Sequence, residues 1–176
     1  VLAPIRIVDY DPLWPAQAAA SIEAVRAALG ESLAAVEHIG STSVPGLAAK
    51  PILDLMAGLR SLDEARACVP LVEALGYHYE PEDTIPDRVY FNKGPEGARS
   101  HHLNLVVFGD AFWVRHLAFR DALRADTGLA AAYAALKRRL AAHYGANRLG
   151  YTDAKTAFIE STVAHYLSQQ ANGPVS

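Results

Sequence analysis

An aspartate inside an apolar run is what most restricts the folds open to this chain. In "PILDLMAGL", residues 51–59, Asp54 stands among Ile52, Leu53, Leu55 and Met56. If the run is a strand, Ile52, Asp54 and Met56 share one face and Leu53, Leu55 and Ala57 the other, because successive side chains alternate. Burying an ionised carboxylate without partners is costly, so Asp54 faces a cleft, a cation or several donors. A buried aspartate capping nearby backbone amides meets the same requirement.

The segment before it, "GSTSVPGLAAK" at 40–50, has no apolar period. Gly40 permits backbone conformations that a side chain forbids, and Ser41, Thr42 and Ser43 add hydroxyls to exposed amide donors. That combination suits phosphate oxygens, and Lys50 supplies a compensating charge. Read alone, the run is more often an ordinary turn satisfying its own backbone.

Around this segment, "AAVEHIG" and "PILDLMAGL" are short apolar runs bounded by turn residues and read as strands. The opening "PIRIVDYDP" alternates Ile5, Ile7 and Tyr10 with polar residues, which predicts a short strand. A helix is expected over 12–29, stopped by Gly30. Ser61 and Glu64 make a capping box for a helix through Leu75 that ends at Gly76. "YHYE", "RVYFNKG" and "SHHLNLVVFG" predict three further strands joined by 80–87 and 94–99. From Asp110 the pattern is helical, over 111–125, about 129–144 and about 151–169. The expected class is α+β, α/β-like: a mixed β-sheet with flanking helices and a C-terminal helical cluster. It forms one domain over 1–170, with 171–176 a frayed tail.

Sixteen Lys and Arg against nineteen Asp and Glu give a net charge of -3, so no global field draws in nucleic acid or an anionic membrane. There is no basic stripe with interleaved aromatics, and neither nucleic acid nor membrane is an expected partner. Any anion site has to be local. Cys68 is the single cysteine, which excludes an internal disulfide, and its apolar neighbours mark it as a buried bystander. No apolar stretch approaches the ~18 residues of a membrane helix, and no basic, apolar, small-residue signal opens the chain. A cytoplasmic location is expected, with a processed start left open by Val1.

"HIGSTSVPGLAAKPILDL" resembles the signature of the GrpB family, small bacterial proteins assigned to the nucleotidyltransferase superfamily. Further matches lie in "HHLNLVVF", "HLAFRDALR", "AAYAALKRRLA" and "YTDAKTAFIE", so the likeness covers about residues 5–167. The resemblance implies a nucleotidyltransferase-type sheet. In that superfamily a Gly-Ser turn follows the first strand, paired carboxylates follow on the next, and a third lies on a later strand. Together they hold two magnesium ions that bridge a triphosphate and activate the attacking hydroxyl. Gly40-Ser41 matches the turn and Asp54 the first carboxylate, which makes Asp54 the implied magnesium ligand. Met56 occupies the second acidic position, and a thioether is a poor ligand for a hard cation. On the strand 100–108, Asn104 stands in the third place, with His102 beside it on the same face.

His38 precedes the Gly40 turn and is a further candidate ligand residue. His101 and His102 are adjacent and so point to opposite faces: His101 with Leu103, Leu105 and Val107 reads as a core histidine, His102 as a ligand contact or general base. Arg88, Tyr90 and Asn92 share a strand face that either lines the cleft opposite Asp54 or forms a solvated edge. Tyr133 with Lys137, and Tyr151 with Lys155, repeat a Tyr-x-x-x-Lys spacing that puts each pair on one helix face. A phosphate or acidic group held by Arg120, Lys137 and Lys155 explains why cations recur beside apolar positions. Alternatively their stems pack along helices with their heads in water, and "KRR" around Lys137 is then a plain basic surface. The resemblance favours Arg120 and Lys155.

Two functions follow. A pocket rich in donors and cations but poor in metal ligands binds a nucleotide or other phosphorylated metabolite without transferring it. By resemblance a coenzyme A precursor is such a ligand, since some relatives are joined to dephospho-coenzyme A kinase. The alternative is a magnesium-dependent nucleotidyl- or phosphoryl-transfer enzyme. In it Gly40, Ser41 and Ser43 cradle the phosphates, Lys50 and Arg88 neutralise them, Asp54 holds the metal, and His102 assists.

Overall fold

A computed structural model describes residues 4–172. Its centre is a five-stranded mixed sheet of β1 (Ala35–Ile39), β2 (Leu53–Leu59), β3 (His78–Tyr79), β4 (Val89–Lys93) and β5 (His101–Val107), in the order β1-β2-β5-β4-β3. β2 and β5 run parallel, and the other three pairings are antiparallel. The central strands are the most apolar ones: Leu55, Met56, Ala57, Leu59, Leu103, Leu105 and Val106 are wholly buried. Each large side chain among them contributes roughly 1.5–3 kcal/mol of burial.

One face of the sheet packs on α1 (Trp14–Leu29), α2 (Leu62–Ala67) and α3 (Val69–Glu73). There Val25, Leu55, Leu103, Leu105 and Phe91 form the main core. The other face is covered only in part, by α4 (Ala111–Ala125), whose Trp113 joins Ile39, Met56 and Val106. α4 in turn packs against α5 (Thr127–Tyr144) and α7 (Thr156–Ala171), and α6 (Arg148–Asp153) against α5. Val44 and Leu47, from the segment between β1 and β2, insert between Leu123 and Tyr133 of this helical cluster. The uncovered part of the sheet, the 40–50 segment and the cluster thus enclose a hollow.

Several predicted elements differ in extent. The strand expected over the opening segment reduces to one bridge, Val8 with Ala49. Its partner segment carries Pro45, Gly46 and Pro51, which cannot extend a ladder. The helix expected from Ser61 to Leu75 is two short ones, because Pro70 has no N–H to continue the first. Ser61 does cap it, its hydroxyl accepting from the Glu64 N–H. The single helix expected over 151–169 is broken after Asp153, so Lys155 becomes the N-cap of α7. Cys68 is buried, as expected. Of the expected frayed tail, Ala171 belongs to α7 and residues 173–176 lie outside the described residues.

Candidate functional site: a lysine-lined hollow beside Asp54

Register decides which side chains meet. Asp54 on β2 pairs with Ile39 on β1 and His102 on β5, and Tyr90 and Asn92 on β4 pair with Asn104 and His102. Asp54, His102, Asn104, Tyr90 and Asn92 therefore share the sparsely covered face. His102 Nδ1 lies 2.9 Å from Asp54 Oδ1, so the carboxylate orients the imidazole. The other Asp54 oxygen lies against Gly40, whose φ is +71°. A Cβ there would sit 2.9 Å from the Asp54 Cβ and closer still to Oδ2. Glycine is needed for the conformation and for the approach.

A cavity of about 240 Å³ opens at this point, lined by Ser41, Thr42, Asp54 and His102 on one side and by Lys50, Lys137 and Lys155 on the other. Lys137 is 2% exposed, and its ammonium donates to the Ala48 carbonyl. The Nζ atoms of Lys50 and Lys155 each lie 4.4 Å from the centroid of the buried Tyr151 ring, and that of Lys137 lies 4.7 Å from Tyr133. Both Tyr-x-x-x-Lys pairs are thus in contact, the second across the break between α6 and α7.

Three ammonium groups and one carboxylate make this hollow cationic. Burial pushes Lys137 down from 10.5 to about 7, repulsion from Lys155 and Arg138 adds to that, and Asp54 opposes it. Lys155 falls to about 8 through burial and repulsion from Lys50. Lys50 is lowered by burial and by Arg148. An anion placed among them would offset each of these effects.

The hydroxyl run contributes less than its composition promised. The Ser43 hydroxyl donates to the Gly40 carbonyl at 2.6 Å, and the Thr42 hydroxyl to the Ile52 carbonyl at 3.2 Å. The Ser43 carbonyl accepts from Arg124 of α4, which ties the segment to the helical cluster. Among these hydroxyls, Ser41 is the one the segment itself does not engage.

His38 pairs with Leu55 and belongs to the opposite face. It supports Thr42 instead, with Nε2 2.9 Å from the hydroxyl, and burial pushes it down to about 4. A neutral His38 donates to Thr42 Oγ1 while that hydroxyl donates to Ile52. Arg120 is also removed from the cavity: it bonds Glu37 and Asp121, each at 2.7 Å, and joins α4 to β1. Arg88 makes a two-bond pair with Asp83 and donates to Asn104 Oδ1 at 2.9 Å. Asn104 completes itself by donating to the Leu55 carbonyl. His101, on the far face, bonds Ser21 and Ser100, and it is half-buried rather than enclosed in the core. Of the candidate residues, Ser41, Thr42, Lys50, Asp54, His102, Lys137 and Lys155 line the cavity; His38, Gly40, Ser43, Asn104, Arg88 and Arg120 do not. Tyr90 lines an adjoining hollow. Thr152, which also lines the cavity, had no signal in the sequence, since nothing set it apart from any other exposed helix residue.

The donors do not fit a two-magnesium centre. Met56 is wholly buried, both ends of the Asn104 amide are taken, and Glu37 is neutralised by Arg120. Among the described residues no group of three or more His, Cys, Asp and Glu side chains converges on a metal position. A guanidinium bonds the side chain that stands where a third carboxylate would hold a cation.

Comparison with known proteins supplies the context. The chain is similar to a UPF0157 protein of Pseudomonas aeruginosa, 39% identical over 168 residues covering 93% of this chain and 68% of that protein. It is 35% identical to UPF0157 protein YqkA of Bacillus subtilis over 89% of this chain but only 46% of YqkA, so it spans about half of that relative. A dephospho-CoA kinase of Mycolicibacterium paratuberculosis is 31% identical over 77% of this chain and 39% of the kinase. The crystal structure of GrpB from Enterococcus faecalis superposes with a TM-score of 0.85 at 34% identity, covering 95% of this chain and all of that one. The Cid1 poly(U) polymerase, solved with Mg and 3'-dATP, superposes with a TM-score of 0.50 at 13% identity over 70% of this chain and 40% of Cid1. The sheet therefore shares the fold of the matched part of that polymerase. The family profile described as GrpB protein matches residues 4–165, and with the Enterococcus structure it establishes that the chain belongs to the GrpB family.

Proposed function

We propose that this chain binds a nucleotide or other phosphorylated metabolite in the hollow beside Asp54, holding its phosphates with Lys50, Lys137 and Lys155 rather than with a pair of magnesium ions. The observation that carries this reading is the convergence of three buried or half-buried ammonium groups on one cavity with a single carboxylate among them. Like charges desolvated together destabilise the ligand-free fold, and a bound anion relieves that cost. Lys155 adds to this, because a cation at the N-terminus of the 16-residue α7 also opposes the helix dipole. A phosphate group supplies the oxygens that such donors need. The likeness to part of a dephospho-CoA kinase makes a coenzyme A precursor a ligand worth testing first.

Calorimetric titration with pyrophosphate and with ADP, with and without magnesium, tests this. Binding is expected in both conditions, weakened about tenfold or more by Lys50→Met or Lys155→Met, as loss of a charged hydrogen bond implies. Binding that appears only with magnesium, or that neither lysine substitution weakens, overturns the proposal. A second reading, phosphoryl or nucleotidyl transfer on the same ligand, is favoured by one observation: the Asp54-oriented imidazole of His102 lines the cavity wall. It requires product formation that Asp54→Asn abolishes.

A further inference from the structure

A second hollow of about 590 Å³ adjoins the lysine cavity, and Lys50, Ile52, His102 and Thr152 line both. Its size falls within the ~300–1,000 Å³ of pockets that take whole small molecules. No carboxylate lines it, and its cations besides Lys50 are Arg6, Arg99 and Arg148. Together the two hollows gather six of the chain's sixteen Lys and Arg but, of its nineteen Asp and Glu, only Asp54, so the local charge runs against the overall -3. Arg99 is partly committed, since it donates to the Gly94 carbonyl and lies 3.8 Å from Glu80. Arg6 and Arg148 have no such tie. Among the described residues, Arg6, Arg139, Arg148 and the four lysines stand outside every ion pair, and five of those seven cations line these two hollows. The backbone brings the two arginines to one wall. The Ile5 N–H donates to the Gly145 carbonyl at 2.9 Å, just before α6, which opens with Arg148, and Val8 bridges Ala49 beside Lys50. The opening segment is thus pinned on both sides of Arg6. Arg148 is half-buried and helps to lower Lys50, so the cations of the two hollows repel one another across their shared wall.

We infer that the two hollows together receive one elongated metabolite carrying two separate phosphate groups, the first among the lysines and the second at Arg6 and Arg148. This rests on the phosphate-binding reading above and specifies its ligand. A ligand with phosphate at one end only satisfies the lysines and leaves the arginines without a counter-charge. A second phosphate at a distance from the first meets the paired N–H donors of the guanidinium groups, a geometry that matches phosphate oxygens. Lys50, on the shared wall, is relieved from both sides.

Calorimetric titration of the full chain with AMP and adenosine 3',5'-bisphosphate, and with fructose 6-phosphate and fructose 1,6-bisphosphate, compares one phosphate with two at two spacings. At least one bisphosphate should bind about tenfold or more tightly than its monophosphate, at one molecule per chain. Arg148→Met should bring that bisphosphate down to the affinity of the monophosphate, which itself changes by less than about twofold. Lys155→Met should weaken both, and Arg139→Met, which removes an unpaired arginine outside both hollows, should change neither. Should Arg148→Met fail to fold, substitution of the exposed Arg6 to Met provides the second readout, lowering the bisphosphate affinity alone. If neither bisphosphate binds more tightly than its monophosphate, or if Arg148→Met weakens the two equally, the second phosphate site is overturned while the lysine site stands. Absence of binding by all four, and by pyrophosphate, overturns both.

Discussion

Binding among lysines that burial has partly discharged must draw protons from solvent, and the amount follows from the structure. Lys137 at about 7 and Lys155 at about 8 are charged by part at neutral pH, and an anion between them restores their ordinary range near 10.5. With those values, uptake on binding is roughly half a proton at pH 7 and about one and a half at pH 8. By linkage, affinity falls about tenfold between the same two pH values. Lys50 shifts in the same direction and would add to the uptake. ADP suits the measurement, since its terminal phosphate is mostly ionised from pH 7 upward. Calorimetry at each pH, in buffers of different ionisation enthalpy, reads the protons directly from the slope of heat against buffer enthalpy. In Lys137→Met most of the uptake at pH 7 should vanish. Tight binding with no proton uptake at pH 8, or affinity that does not change from pH 7 to 8, would refute the reasoning.

Two further outcomes concern stability. Lys137→Met should stabilise the ligand-free protein at pH 7: shifting the amine from 10.5 to about 7 costs roughly 4–5 kcal/mol, offset by about 1–3 kcal/mol for the orphaned Ala48 carbonyl. The sign is fixed by linkage: the penalty is absent above 10.5 and grows as pH falls toward 7, so the unmodified protein gains on the variant as pH rises. Chemical denaturation at pH 7 and pH 9 checks this, and a destabilised variant whose deficit is the same at both pH values contradicts it. Gly40→Ala should cost about 1–3 kcal/mol, because the new methyl enters the Asp54 side chain at a positive φ; an unchanged urea midpoint would show that the close approach does not exist.

Much of this was legible in the sequence for identifiable reasons. Alternation along 53–59 and 101–107 located the two central strands, and the same alternation put Asp54 and His102 on one face with His101 on the other. A repeated four-residue spacing exposed both Tyr–Lys pairs, although the helix break at Ala154–Lys155 escaped it because neither residue is a breaker. What spacing could not convey was competition between partners. Arg120 and Lys137 both lie on helices beside apolar positions; Glu37 and Asp121 claim the arginine, and among the described residues no carboxylate pairs with the lysine. By composition the Thr42 and Ser43 hydroxyls are free donors, but the Ile52 and Gly40 carbonyls take them. Asn104 stands where a substitute metal ligand would, but Arg88, sixteen residues away, occupies its oxygen.

A crystal structure of the chain grown with ADP and magnesium offers the most direct check. Phosphate density in hydrogen-bond contact with Lys50, Lys137 and Lys155, and no pair of metal ions on Asp54, is the predicted result. Phosphates bridged to Asp54 by two magnesium ions, or bound away from the three lysines, would contradict it.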